Sequence, residues 1–212
     1  MENIQLLDQN GRKLEMLSMS KQNIIGLLFG CLFLFLLQGC AVAKNFGPYM
    51  GKVIDSETEK PIEGAIVFMK ITTVTPNVGG GQFHFADAKE VLTDSNGEFY
   101  IELRGVSLKP THFWWPDPQF SIFKPSYGSF PFYPGSNVDI LERDTSHIFP
   151  KNTFVTIRLP KLRTREERRR NLAKAHDYGN RDIPYEKRQM YFKMTNEESV
   201  AVGLKPLPFP NK

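Results

Sequence analysis

Gly51-Lys52-Val53-Ile54-Asp55, Pro61-Ile62-Glu63-Gly64-Ala65-Ile66-Val67 and Thr93-Asp94-Ser95-Asn96-Gly97-Glu98-Phe99-Tyr100-Ile101 are the segments on which the fold turns. The first runs as a strand into a polar loop, Asp55 to Lys60, after which Pro61-Ile62-Glu63-Gly64 turns the chain back. A second strand, Ala65 to Thr73, is rich in Val, Ile and Phe. Asp94-Ser95-Asn96-Gly97 is a tight polar turn before a third strand. There Phe99, Ile101 and Leu103 alternate with Tyr100, Glu102 and Arg104, and farther on Val155, Ile157 and Leu159 alternate with Thr156 and Arg158. Period-two alternation marks half-buried strands. Weaker strands are expected at Gln82–Phe85, Lys89–Thr93 and Phe120–Lys124, with turn-rich spacers at Val78-Gly79-Gly80-Gly81 and from Pro110 to Pro150. The expectation is a mainly β protein, an antiparallel β-sandwich with long loops.

Outward from these strands, two ends remain. Residues 24–37 are an uncharged apolar run that stops at Leu37-Gln38-Gly39-Cys40. At ~1.5 Å per residue this run reaches roughly 21 Å as a helix, short of a ~30 Å hydrocarbon core, which fits a secretory apolar region better than a permanent span. An uncleaved anchor and a buried core helix are the competing readings. Lys21 supplies the positive charge ahead of the run, and Met19 is an alternative start. From Arg163 onward the β pattern gives way. Thr164-Arg165-Glu166-Glu167 has capping-box spacing, which predicts a helix from about Arg165 to His176. Asp182-Ile183-Pro184-Tyr185 opens a second short helix, and Thr195-Asn196-Glu197-Glu198 repeats the capping spacing before Gly203.

Taken together, the strand segments resemble the carboxypeptidase regulatory-like domain, a transthyretin-like β-sandwich. The residues that carry the likeness are Gly51-x-Val53-x-Asp55, Pro61-Ile62-x-Gly64-Ala65-x-Val67 and Thr93-Asp94-Ser95-Asn96-Gly97-x-Phe99-x-Ile101. In the later Lys-x-Gly-Tyr segment of that family this chain has Lys124-Pro125-Ser126-Tyr127, with Ser126 in the glycine place. The likeness implies a fold and no activity, because the zinc-bearing catalytic domain of carboxypeptidases has no counterpart here. Leu37-Gln38-Gly39-Cys40 in turn resembles the lipobox of bacterial lipoproteins. That resemblance implies a diacylglyceryl thioether on Cys40 and cleavage before it, hence a lipid-anchored protein of the bacterial cell envelope. Ala41 after the cysteine, rather than Asp, implies the outer membrane in a Gram-negative cell. The organisation expected is a signal peptide over 1–39, a lipidated tether over 40–47, the sandwich over 48–162 and a basic helical tail over 163–212.

Composition narrows the chemistry. There are two cysteines. Cys31 would leave with the signal and Cys40 would carry lipid, so no thiol remains for a disulfide, a metal cluster or a nucleophile. Asp94-Ser95-Asn96-Gly97-Glu98 is out of register for a calcium loop, since its glycine comes fourth rather than sixth. His84 with Asp87, and His112 farther on, lack the short ligand spacing of a zinc site. No Gly-x-Ser-x-Gly elbow is present. No catalytic residue, metal or cofactor is therefore expected.

Two segments are candidate contact surfaces. Phe113–Tyr133 holds Phe113, Trp114, Trp115, Phe120, Phe123, Tyr127, Phe130, Phe132 and Tyr133. Such rings fill a satellite core under the loops, or meet a protein partner, or stack on sugars, with Trp114, Trp115 and Tyr133 as the candidates for a glycan or peptidoglycan platform. Between Arg158 and Arg170, the basic residues Arg158, Lys161, Arg163, Arg165, Arg168, Arg169 and Arg170 outnumber Glu166 and Glu167. A solvated helix face explains such a run, and so does contact with anionic lipid, wall polymer or an acidic partner. Nucleic acid is not an expected partner of an exported protein. The function expected is non-catalytic binding or scaffolding of another envelope component, with glycan binding through loop 113–133 as the alternative.

Overall fold

The computed structural model describes residues 43–139, 149–177 and 182–208. The signal segment, with Leu37, Gln38, Gly39 and Cys40, lies outside the described residues. Eight strands follow in order: β1 (Ala43–Asp55), β2 (Ile66–Asn77), β3 (Gly80–Leu92), β4 (Glu98–Ser107), β5 (Phe113–Trp114), β6 (Gln119–Phe123), β7 (Asn137–Asp139) and β8 (Phe154–Leu159). Helices α1 (Arg165–Asp177) and α2 (Gln189–Ala201) close the chain, with a 3-10 turn at Tyr185–Lys187 between them. Sheet one has the strand order β4-β1-β8-β7. In sheet two, β2 pairs with β3 on one edge and with β5 and β6 on the other.

The protein is mainly β, with two sheets facing each other across one core. From sheet one come Tyr49, Val53, Ile101, Ile157 and Leu159, and from sheet two Val67, Met69, Ile71 and Ile122, all buried. One pairing departs from the antiparallel pattern. β1 and β8 run parallel, from Met50 beside Phe154 to Asp55 beside Leu159. Alternation in a sequence reports which face is buried and is blind to strand direction. Strands β2 to β7 lie between β1 and β8 in the chain, so the crossover that a parallel pair requires is supplied by the rest of the body.

β2 opens with an unbroken apolar run, Ile66 to Met69, because both of its faces are covered there. Val67, Met69 and Ile71 face the first core, while Ile66 and Phe68 point the other way into a second one. That second core is completed by Ala88 and Phe123 from sheet two and by Leu172, Ala175, Ile183, Tyr191 and Val202 from the C-terminal region. A strand buried on both faces loses its alternation. The expected tail is thus a third layer, packed on the outer face of sheet two.

Strand β1 begins earlier than its sequence suggests. Residues 43–47, expected within the tether, pair with the end of β4, Ala43 beside Ser107 and Phe46 beside Leu103. Phe46 is buried, edge-on to Trp114 with ring centroids 5.2 Å apart. Gly47-Pro48 masks this strand, because a Gly-Pro pair reads as a breaker. The two weak strands at 82–85 and 89–93 are likewise one strand, β3.

The quoted turns form as their residues require. Asp94 Oδ1 accepts from the amides of Asn96 and Glu98, at 2.9 and 2.8 Å. Gly97, at φ +73°, lets the Val53 carbonyl come so close that a Cβ there would sit 2.5 Å from it. Thr93, buried, accepts from the Ala65 amide at 2.8 Å and donates to the Ile62 carbonyl at 2.7 Å. The Pro61-to-Val67 and Thr93-to-Ile101 segments are therefore stitched together.

Candidate binding site

β1 runs from one end of the sandwich, where Ala43 lies, to the other, where Asp55 lies. The two ends differ in chemistry. At the Asp55 end, Asp55, Glu57, Thr58, Lys60, Pro61, Tyr127, Lys161 and Arg163 line a cavity of about 590 Å³, within the range of small-molecule sites. Asp55 is buried. Its Oδ1 accepts from the amides of Glu57 and Thr58, at 2.8 and 3.0 Å, and its Oδ2 from the Tyr127 hydroxyl at 3.2 Å. Burial pushes the Asp55 carboxyl up, but the donors from Thr58, Glu57 and Tyr127 together outweigh it and hold the group below the usual carboxylate range. Burial, and then the Asp55 charge, push the Tyr127 phenol the other way.

The charges around this cavity are unequally committed. Glu57 is held by Arg163, and Glu59 beside it by Arg158 at 3.6 Å. Lys60 and Lys161 form no salt bridge with any described residue. Tyr127 donates its hydroxyl hydrogen to Asp55, so its oxygen lone pairs offer the cavity an acceptor. The site therefore presents two ammonium groups and a phenolic acceptor to whatever enters.

At the Ala43 end the surface is aromatic. The register of sheet two sets Phe83, Val74 and Phe113 side by side across β3, β2 and β5. They lie on the same outer face as Ile66 and Phe68, beyond the reach of the helical layer. Phe83 is 55 % exposed and Phe113 59 %, and Trp115 stands edge-on to Phe83 with ring centroids 4.8 Å apart. Val78, at the tip of the β2–β3 turn, is fully exposed. On the other face, His84 and His112 meet with ring centroids 4.7 Å apart, and His84 Nε2 is 2.8 Å from the Thr75 hydroxyl. Asp87 turns away to Lys187 at 2.7 Å. Among the described residues no three His, Cys, Asp or Glu side chains are placed to hold a metal.

The aromatic segment 113–133 is divided by this arrangement. Phe120, Phe123 and Phe130 are core residues, and Phe149 stacks on Phe120 at 4.2 Å. Trp114 is half-buried against Phe46, and Tyr133 covers Gly128, where a Cβ would lie 2.5 Å from its ring. Of Trp114, Trp115 and Tyr133, only Trp115 is exposed. Adjacent strand residues point to opposite faces, as expected of Trp114 and Trp115. Phe83 was hidden from sequence reasoning. Its signal was the Gly79-Gly80-Gly81 turn, which fixes the hairpin register.

The basic run is divided as well. Arg168 grips Glu198 with two bonds, 2.8 and 2.6 Å, and Glu198 is 2 % exposed. Arg165 and Arg169 donate to the Val202 carbonyl, at 2.7 and 3.1 Å, at the C-terminal end of α2 where the helix dipole favours cations. Arg165, Arg168 and Arg169 are thus internal fasteners. Arg170, exposed, lies 3.9 Å from Glu166 on its own helix.

No protein-family model, curated protein or solved structure matches the chain. No helix among the described residues is long and apolar enough to cross a membrane.

Proposed function

We propose that the chain is a bacterial envelope lipoprotein, anchored at Cys40, whose two-sheet body is a non-catalytic binding or scaffolding module for another envelope component. In a Gram-negative cell its place is the outer membrane. The observation that carries the binding reading is the cavity at the Asp55 end, with Lys60 and Lys161 around it and neither in a salt bridge with any described residue. Two uncommitted ammonium groups favour a component that bears acid groups, and the Tyr127 oxygen favours one that also offers a hydroxyl. In-cell crosslinking and mass spectrometry of the full-length protein test this, with wild type set beside Lys60→Glu/Lys161→Glu at matched abundance. One envelope component is expected to be enriched with wild type and lost with the double variant. Enrichment that survives the charge reversal removes the cavity from the reading, and enrichment of nothing sinks the binding module itself.

The glycan-binding alternative draws on the exposed Trp115 beside Phe83. Aromatic stacking on a wall polymer would be weakened by Trp115→Ala and little affected by salt, whereas binding through Lys60 and Lys161 would fall steeply as salt rises.

A further inference from the structure

Three features meet at the Ala43 end of the body, and they point to one occupant. The first is where the chain emerges. Only Ala41 and Val42 separate Cys40 from Ala43, the first residue of β1, a reach of at most ~11 Å from Cys40 to Ala43. The second is the uncovered aromatic surface of Phe83, Phe113 and Trp115, with Val78 at its tip. The third is charge. Lys44 lies beside Val106 and Lys151 Nζ is 3.4 Å from the Asn45 carbonyl, while Glu102 and Arg104 at the same end hold each other at 2.9 Å. Lys44 Nζ lies 4.9 Å from the Phe46 ring and 5.9 Å from that of Trp114.

We propose that this end of the body rests in the headgroup layer of an anionic phospholipid membrane, with Trp115, Phe83 and Phe113 dipping toward the acyl chains. The inference rests on lipidation of Cys40. An anchor there leaves a leash no longer than roughly the depth of the headgroup region, so the loops nearest Ala43 are pressed against lipid rather than held clear of it. Trp, with its polar ring edge, and lysines with long stems are side chains that the bilayer interface favours, and Phe83 and Phe113 add purely apolar surface on the acyl side. The acid-binding cavity, at the other end of β1 up to roughly 40 Å away at ~3.3 Å per residue, then faces away from the membrane.

Fluorescence decides it, because Trp114 and Trp115 are the only tryptophans. The full-length lipoprotein is reconstituted into phosphatidylcholine–phosphatidylglycerol vesicles, with and without bromine on the acyl chains. Emission is compared between wild type and Trp115→Phe, so that the difference reports Trp115 while Trp114 stays packed on Phe46. The expected result is flotation with the vesicles and at least twofold quenching of the Trp115 signal by brominated lipid. In Phe83→Ser/Phe113→Ser that quenching is expected to fall while flotation persists. Flotation with an unquenched Trp115 overturns the seating and leaves the anchor standing. Failure to float removes the anchor, and the seating falls with it.

Discussion

Glu198 carries a charge into the helical layer, where only 2 % of its side chain meets water and Arg168 holds both its oxygens. Ser126 adds an amide at 3.2 Å, so the pair also ties α2 to the loop after β6. Removing one partner of such a pair leaves the other charge buried and alone. Arg168→Ala is expected to cost about 3 kcal/mol in urea unfolding, and Arg168→Met/Glu198→Leu to recover most of it, since an apolar pair of similar volume needs no solvation. Gly203, at φ +71°, belongs to the same fastening. A Cβ there would lie 1.7 Å from the Arg165 guanidinium, and the Leu204 and Gly203 amides close the helix onto the Ser199 and Val200 carbonyls. The sequence marked Gly203 as a stop. It did not mark Arg165, Arg168 and Arg169 as fasteners, because a run of arginines looks the same whether its acceptors lie in solvent, in a partner or some thirty residues along the chain.

Two identical spacings at the level of elements had different fates. Thr164 and Glu167 form the expected capping box, the Glu167 amide 3.2 Å from Thr164 Oγ1 and the Thr164 amide 2.9 Å from Glu167 Oε2. Thr195 and Glu198 do not. Thr195 lies inside α2 with its hydroxyl bonded back to the Tyr191 and Phe192 carbonyls, both at 3.0 Å. The helix starts at Gln189, where no side chain of its own caps it. Glu90, on β3, accepts from the Met190 and Tyr191 amides instead, at 2.7 and 2.9 Å. A cap lent by a strand a hundred residues earlier leaves no local mark in the sequence, whereas the Thr164 cap is local and legible. Glu90→Gln is expected to speed hydrogen exchange at Met190 and Tyr191 severalfold while leaving α1 protected, because the lost carboxylate charge weakens the cap on one helix only.

Across the whole molecule, the strands were legible and the layering was not. Alternation in β4 and β8 and the turns at Gly64 and Gly97 prescribe two sheets. Nothing local says that Ile66, Phe68 and Phe123 await a helical cover. A chain ending at Leu162 would leave them bare, so the C-terminal region is part of the body rather than an arm attached to it. Deep packing also sets the alkaline limit. Burial, followed for Tyr49 by the charge of Asp117, pushes the Tyr49 and Tyr191 phenols up to about 12, with Ser121 opposing the rise at Tyr191. Unfolded phenols ionise near 10. Below that pH both states are neutral and the full stability is present, and above it stability is lost as pH climbs toward the folded value. Each phenol is expected to cost about 1 kcal/mol by pH 11 in urea unfolding, and Tyr49→Phe/Tyr191→Phe to flatten the decline.

The parallel pairing of β1 with β8 has a consequence in time. Met50 lies beside Phe154, so the first strand of the body waits for nearly the last before sheet one can close. Neighbouring strands such as β2 and β3 zip quickly because little chain entropy is lost in bringing them together. The β1–β8 contact closes a loop of about a hundred residues, and contacts of that separation slow folding toward the millisecond-to-second range. Sheet two can therefore stand while β1 still lacks one of its neighbours.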